Sequence, residues 1–257
     1  MVIRLSLIIL FLFCSSCGTY AVSNDTSINK IDFVKNLIED EKYSRAIDEL
    51  NYILFNDPLS EYSGIAQFYI AECYFYLSDF NQSIIEYNKY LTRNDSIEEL
   101  FKKSQFMLCK CYFKISLEYN KDQSDTYIAI EKLQYFIEKE SMKEYIPDIE
   151  IMILDLRTKL AKKDFYTAKL YIKLEQLDAA VIYYNNIIND YYDTEYVNSA
   201  LTNIVLIYCI EDIDKAEVYL DSHKDNFLDY INYEDVLNLV QSLEVNKDES
   251  YYLSFLK

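Results

Sequence analysis

Glu41-Lys42-Tyr43-Ser44-Arg45-Ala46-Ile47, Ser78-Asp79-Phe80-Asn81-Gln82-Ser83-Ile84 and Glu175-Gln176-Leu177-Asp178-Ala179-Ala180-Val181 follow one pattern. A polar pair leads into a large apolar residue, then two mostly polar residues, a small one and a β-branched one. An apolar-periodic helix precedes each stretch, and a second follows it over 50–55, 87–91 and 184–188. The pattern reads as the middle of a helical hairpin. A first helix ends in a short turn, the large residue opens the second, and the small residue lets the two approach closely. Self-similarity at a fixed spacing marks a repeat array. Ala46 and Ser83 stand 37 residues apart.

Further units join this series. Between the second and the Ala180 unit lies a longer one, with its first helix near 98–118 and its small residue at Ala129 in Tyr127-Ile128-Ala129-Ile130. Asn120-Lys121-Asp122-Gln123-Ser124-Asp125 is then an insertion in its turn. A fifth, weaker unit covers 200–220, with Ala216 as the small residue. The first unit closes on Asn56-Asp57-Pro58, where proline cannot continue a helix. These units resemble tetratricopeptide repeats, whose norm is about 34 residues. The glycine usual in the first helix of that repeat is replaced, for instance by Val34, Ala71 and Ala168. The expected fold is all-α: a solenoid of about five tetratricopeptide-like hairpins over residues 28–229, closed by a capping helix and tail over 230–257.

Composition agrees. Two glycines and two prolines in 257 residues leave little for strands joined by tight turns or for phosphate-binding loops. A net charge of −18 excludes nucleic-acid binding, which needs a positive surface to release counterions, and opposes docking on anionic lipid. Most of the 27 tyrosines fall at helical core spacing, where the ring fills the core and the hydroxyl stays at the wet edge. Cys73, Cys109, Cys111 and Cys209 lie inside apolar helical segments and read as small buried hydrophobes. Cys109 and Cys111, two apart on a helix, diverge by about 200° and make no metal pair. The one histidine, His223, falls in a polar junction with no nucleophile or orienting acid indicated. No catalytic residue, metal site or cofactor is expected.

The N-terminus carries a separate signal. Arg4 is the only charge before Asp25, and 5–13 is an apolar run of about nine residues interrupted only by Ser6. That is too short to cross a bilayer, which takes roughly 20 residues of helix, but it fits a secretory signal. Cys14-Ser15-Ser16-Cys17-Gly18 then resembles the lipobox of bacterial lipoproteins. The resemblance implies a signal peptide over 1–16, diacylglyceryl attachment to the Cys17 sulfur and acylation of the new amino terminus. The lipobox prefers Leu where Cys14 stands. Release by the ordinary signal peptidase is the competing outcome. Residues 17–27 would form the lipidated cysteine and a flexible tether.

A lipobox followed by five such units resembles the BamD family of the β-barrel assembly (BAM) machinery. The similarity is sharpest over Leu160-Ala161-Lys162-Lys163-Asp164-Phe165-Tyr166-Thr167-Ala168-Lys169-Leu170-Tyr171 and runs on to Asp190-Tyr191-Tyr192-Asp193-Thr194, where Tyr192 stands in place of the family's proline. The resemblance implies a non-catalytic outer-membrane lipoprotein on the periplasmic face. Its partners would be the periplasmic domains of a BamA-like barrel protein and unfolded outer-membrane proteins. Stacked hairpins line a concave wall with their first helices. On the second unit Ile65, Phe68, Glu72, Phe75 and Tyr76 are the expected groove residues, with packing of Phe68 and Phe75 between repeats as the competing role. The alternative function is another periplasmic repeat scaffold, in cell-wall synthesis or envelope constriction.

Overall fold

A computed structural model describes residues 27–93, 97–228 and 230–244. Helices α1 (Ser27–Glu39) and α2 (Tyr43–Asn56) form the first hairpin, α3 (Glu61–Tyr76) and α4 (Phe80–Leu91) the second. The third is α5 (Glu98–Ile115) with α6 (Ser124–Ile137), and the fourth α7 (Ile146–Lys173) with α8 (Leu177–Asp190). α9 (Tyr196–Glu211) and α10 (Ile213–Ser222) make the fifth, and α11 (Tyr230–Glu244) packs on both as the cap. Each helix packs on its sequence neighbour, and no strand occurs among the described residues. This is the expected tetratricopeptide-like solenoid. The expected signal peptide, the expected lipidation at Cys17, the expected tether up to residue 26 and the residues beyond 244 lie outside the described residues.

The small residues explain the register. Ala46, Ser83, Ala129, Ala180 and Ala216, one per hairpin, have no exposed surface. A larger side chain there would push the paired helices apart. Ser83 adds a polar tie: its hydroxyl donates to the Ala71 carbonyl (2.9 Å), and the Cys111 thiol donates to it from α5 (3.3 Å).

Three of the five hairpin turns are built alike. Glu41, Ser78 and Glu175 adopt φ of 58°, 62° and 58°, the left-handed region in which glycine is normal. Around each, the residue's own N–H and the next one both bond back into the first helix, as Glu41 to Ile38 (3.0 Å) and Lys42 to Leu37 (2.8 Å). Asp79 to Tyr74 and Gln176 to Tyr171, both at 2.9 Å, repeat the Lys42 to Leu37 bond, which spans five residues. This is a Schellman closure, which satisfies the last carbonyls of the first helix. The turn geometry thus holds without glycine.

The apolar interior divides into three clusters, and α7 belongs to two of them. Ile31, Val34, Leu50 and Ile70 anchor the first, between α1, α2 and α3. Ile149, Met152 and Leu156 from the start of α7 complete the middle cluster with Phe68, Tyr87, Leu108 and Leu133. Leu160, Ala161, Ala168 and Ile172 from the rest of α7 enter the last, with Tyr184, Ile187, Leu201 and Ile204. The helix has 28 residues, about 42 Å at 1.5 Å per residue. Its basic side chains also hold the inserted turn, which starts at Ser116 because the backbone there is extended. Lys159 Nζ donates to Ser116 Oγ (2.6 Å), Lys163 Nζ to the Lys121 carbonyl (2.9 Å), and Tyr119 packs on Tyr166 with ring centroids 5.3 Å apart. Within the turn, the Gln123 amide donates to the Glu118 carbonyl, and the Thr126 hydroxyl donates to Gln123 Oε1, both at 2.8 Å.

Candidate binding surface

The groove residues chosen from sequence occupy one stripe of α3, and the structure separates their environments. Phe68 is fully buried against Tyr87 and Tyr90 of α4, with edge-on centroid distances of 6.0 and 5.9 Å. Glu72 is buried too and is paired across the repeat boundary with Lys103 Nζ of α5 at 2.8 Å. The same ammonium lies 5.1 Å from the Phe68 ring centroid. Both side chains therefore join the second hairpin to the third. Ile65 is half-buried against the first cluster, and Phe75 half-buried against the middle one and edge-on to Phe80. Tyr76 is 49% exposed and stacks on Tyr43 of the first hairpin at 5.2 Å. This stripe offers Ile65, Phe75 and Tyr76 to solvent, the last two forming an aromatic shelf with Tyr43 of α2.

The second hairpin also holds a buried polar cluster. Gln67 of α3 donates to Glu86 Oε2 of α4 (2.5 Å), and Glu86 Oε1 accepts from Gln82 (2.7 Å) and Lys89 (2.8 Å). A buried carboxylate is tolerated when its oxygens are so satisfied. Two clefts open elsewhere. One of about 650 Å³ lies between α4 and α6 with Leu108, Tyr112 and Tyr135 on its walls. Another of about 240 Å³, lined by Tyr119, Asp155, Lys159, Lys162 and Tyr196, sits where the inserted turn meets α7 and α9.

The segment with the sharpest family resemblance has a structural account. Arg157 of α7 grips Asp193 with two parallel bonds, Nε to Oδ2 at 2.9 Å and a terminal nitrogen to Oδ1 at 2.6 Å. That carboxylate holds the guanidinium pKa above its ordinary value. Thr194 turns the chain by donating to the Tyr191 carbonyl (2.8 Å), and the Tyr191 hydroxyl lies 3.4 Å from that of Tyr127. Asp164, in the same segment, faces α8. Burial raises its carboxyl to about 6, nearby Asp190 adds to the rise, and a hydrogen bond with Asn186 opposes it.

Burial raises the thiols of Cys73 and Cys109 to about 12 and those of Cys111 and Cys209 to about 11, leaving them protonated and poorly nucleophilic. His223 is half-buried, stacked 3.9 Å from Tyr219, with Nδ1 at 2.9 Å from the Tyr219 carbonyl. Among the described residues no group of three or more potential ligands could hold a metal. No described helix is long and apolar enough to cross a membrane.

A solenoid of tetratricopeptide-like hairpins is the class that this geometry defines. Residues 32–220 match the family described as YfiO, outer membrane lipoprotein, and the chain belongs to that family. It is 22% identical over 219 residues to the outer membrane protein assembly factor BamD of Rickettsia prowazekii (strain Madrid E), covering 83% of this chain and 86% of that protein. Among solved structures it aligns with BtubC (BKLC) from P. vanneervenii at 15% identity, over 90% of this chain and 89% of that one, with a TM-score of 0.26.

Proposed function

We propose that this chain is a non-catalytic, lipid-anchored subunit of the outer-membrane β-barrel assembly machinery. It binds the periplasmic domains of a BamA-like barrel protein and receives unfolded outer-membrane proteins at the periplasmic face. The observation that carries this reading is the extent of the family match, which runs over residues 32–220, from within α1 to within α10. The relative named as an assembly factor supports it over 219 aligned residues. In this reading residues 1–16 are the signal and Cys17 bears the lipid. Ile65, Phe75 and Tyr76 meet apolar segments of the incoming chain, while Phe68 and Glu72 hold α3 in place behind them.

Purification of the full chain in mild detergent tests the partnership. A BamA-like protein in stoichiometric amount is the expected companion. Its absence, or recovery of cell-wall synthesis proteins instead, would overturn the proposal. Depletion should lower the amount of folded barrel protein in the outer membrane. Cys17→Ala should abolish fatty-acid labelling, and labelling that persists would contradict the anchor.

A further inference from the structure

Leu59 and Phe55, at 98% and 87%, are the two most exposed large apolar side chains among the described residues, and they share one tip. α2 ends there at Asn56 and α3 starts at Glu61. The connection is well bonded. The Asp57 N–H closes on the Ile53 carbonyl (2.9 Å), the Ser60 hydroxyl donates to the Asp57 carbonyl (2.9 Å), and Pro58 fixes its own φ. The backbone thus holds the two side chains out in water, where their apolar surface has no partner within the described residues.

The position of this tip selects the occupant. One turn below Phe55, the Tyr52 ring carries Lys30 Nζ at 3.4 Å from its centroid, and Lys30 belongs to the first turn of α1. The tip therefore lies at the end of the molecule where α1 begins. Cys17 precedes Ser27 by ten residues, a span of at most about 35 Å when extended. A bilayer that holds Cys17 is within reach of this tip.

We infer that Phe55 and Leu59 insert into the boundary between headgroups and acyl chains beside the anchor, with Tyr52 and Lys30 at headgroup level. The inference rests on the lipid-anchor reading above. Aromatic rings and a lysine ammonium favour that level, where one end is apolar and the other wet. Charge does not drive the contact, because Asp57 and Glu61 flank the tip and the chain carries −18. The partner is accordingly a largely zwitterionic surface, and insertion persists at high salt. The acyl chains supply the attachment. The tip adds a second point of contact, which sets the tilt of the first hairpin on the membrane.

The chain has no tryptophan, so Leu59→Trp introduces a single reporter at a position whose exposure leaves packing untouched. The full chain is expressed with fatty-acid labelling and reconstituted into zwitterionic phosphatidylethanolamine/phosphatidylcholine vesicles, some brominated in the upper acyl chain. Leu174→Trp, at the opposite edge where a first helix ends, serves as the comparison. The expected result is a labelled Leu59→Trp protein whose indole emission shifts to the blue and is quenched by bromine in low and high salt alike. The Leu174→Trp protein should keep its water-like spectrum. Labelled Leu59→Trp protein with unshifted, unquenched emission overturns the insertion and leaves the anchor intact. Unlabelled protein overturns the anchor and the insertion with it. An indole at this tip that responds only when a barrel-protein partner is added assigns the tip to protein and overturns the insertion.

Discussion

Glu41, Ser78 and Glu175 sit in the left-handed region without being glycine, which costs each about 1 kcal/mol relative to a residue lacking Cβ. Glycine also gains freedom in the unfolded chain, which offsets part of that relief, so each substitution to glycine should stabilise by about 0.5 kcal/mol. Urea unfolding of Glu41→Gly and Glu175→Gly checks this, with Lys42→Gly, one residue on, expected to destabilise. Asp164 makes a prediction about pH. Its carboxyl is raised to about 6 from an unfolded value near 3.8, so the folded chain binds this proton more tightly. The stability it contributes is complete below about pH 4 and is lost as pH rises through about 6. Asp164→Asn should be nearly neutral at pH 4 and should stabilise by about 1 kcal/mol at pH 7, after allowing for solvent screening of a half-exposed group. Equal effects of the substitution at both pH values would refute the assignment.

At the scale of the helix, local patterns were legible in the sequence and long-range ones were not. The five small residues were readable because a hairpin's closest approach recurs at a fixed offset from its turn, and all five are buried. The Phe68–Glu72 stripe was readable as a face, but its direction depended on Lys103, far along the chain on another helix. The exposure of Phe55 was masked by the apolar run that ends α2, although two positions after the buried Ile53 it falls on the face away from Ala46, Leu50 and Ile53. The Arg157–Asp193 clamp joins residues 36 apart and leaves no periodic trace. With Arg157 only 18% exposed, Arg157→Ala should cost about 1–3 kcal/mol through the lost charge-assisted bonds and an unpaired carboxylate. Asp193→Asn should cost less, since an amide still offers one acceptor. A thermal melt of each variant and of the pair gives the coupling, and additive effects would show that the clamp carries no energy of its own.

For the whole molecule, charge and connectivity set the behaviour. A net charge of −18 repels itself in the compact state, so the melting temperature should rise as added salt screens that repulsion. A melting temperature that falls with salt would mean that attractive pairs such as Lys103–Glu72 outweigh it. Repeat arrays ordinarily behave as a sum of units and nearest-neighbour contacts, which lets them be shortened one unit at a time. The long α7 alters this, because Ile149, Met152 and Leu156 floor the middle cluster while Leu160 and Ile172 on the same rod floor the last. A cut before Ile146 would strip the third hairpin of its floor, and a cut after Arg157 would leave the fourth without half its first helix. Anyone dissecting the molecule into minimal working pieces will find no seam there. The third and fourth hairpins share that one rod and are expected to fold and unfold together.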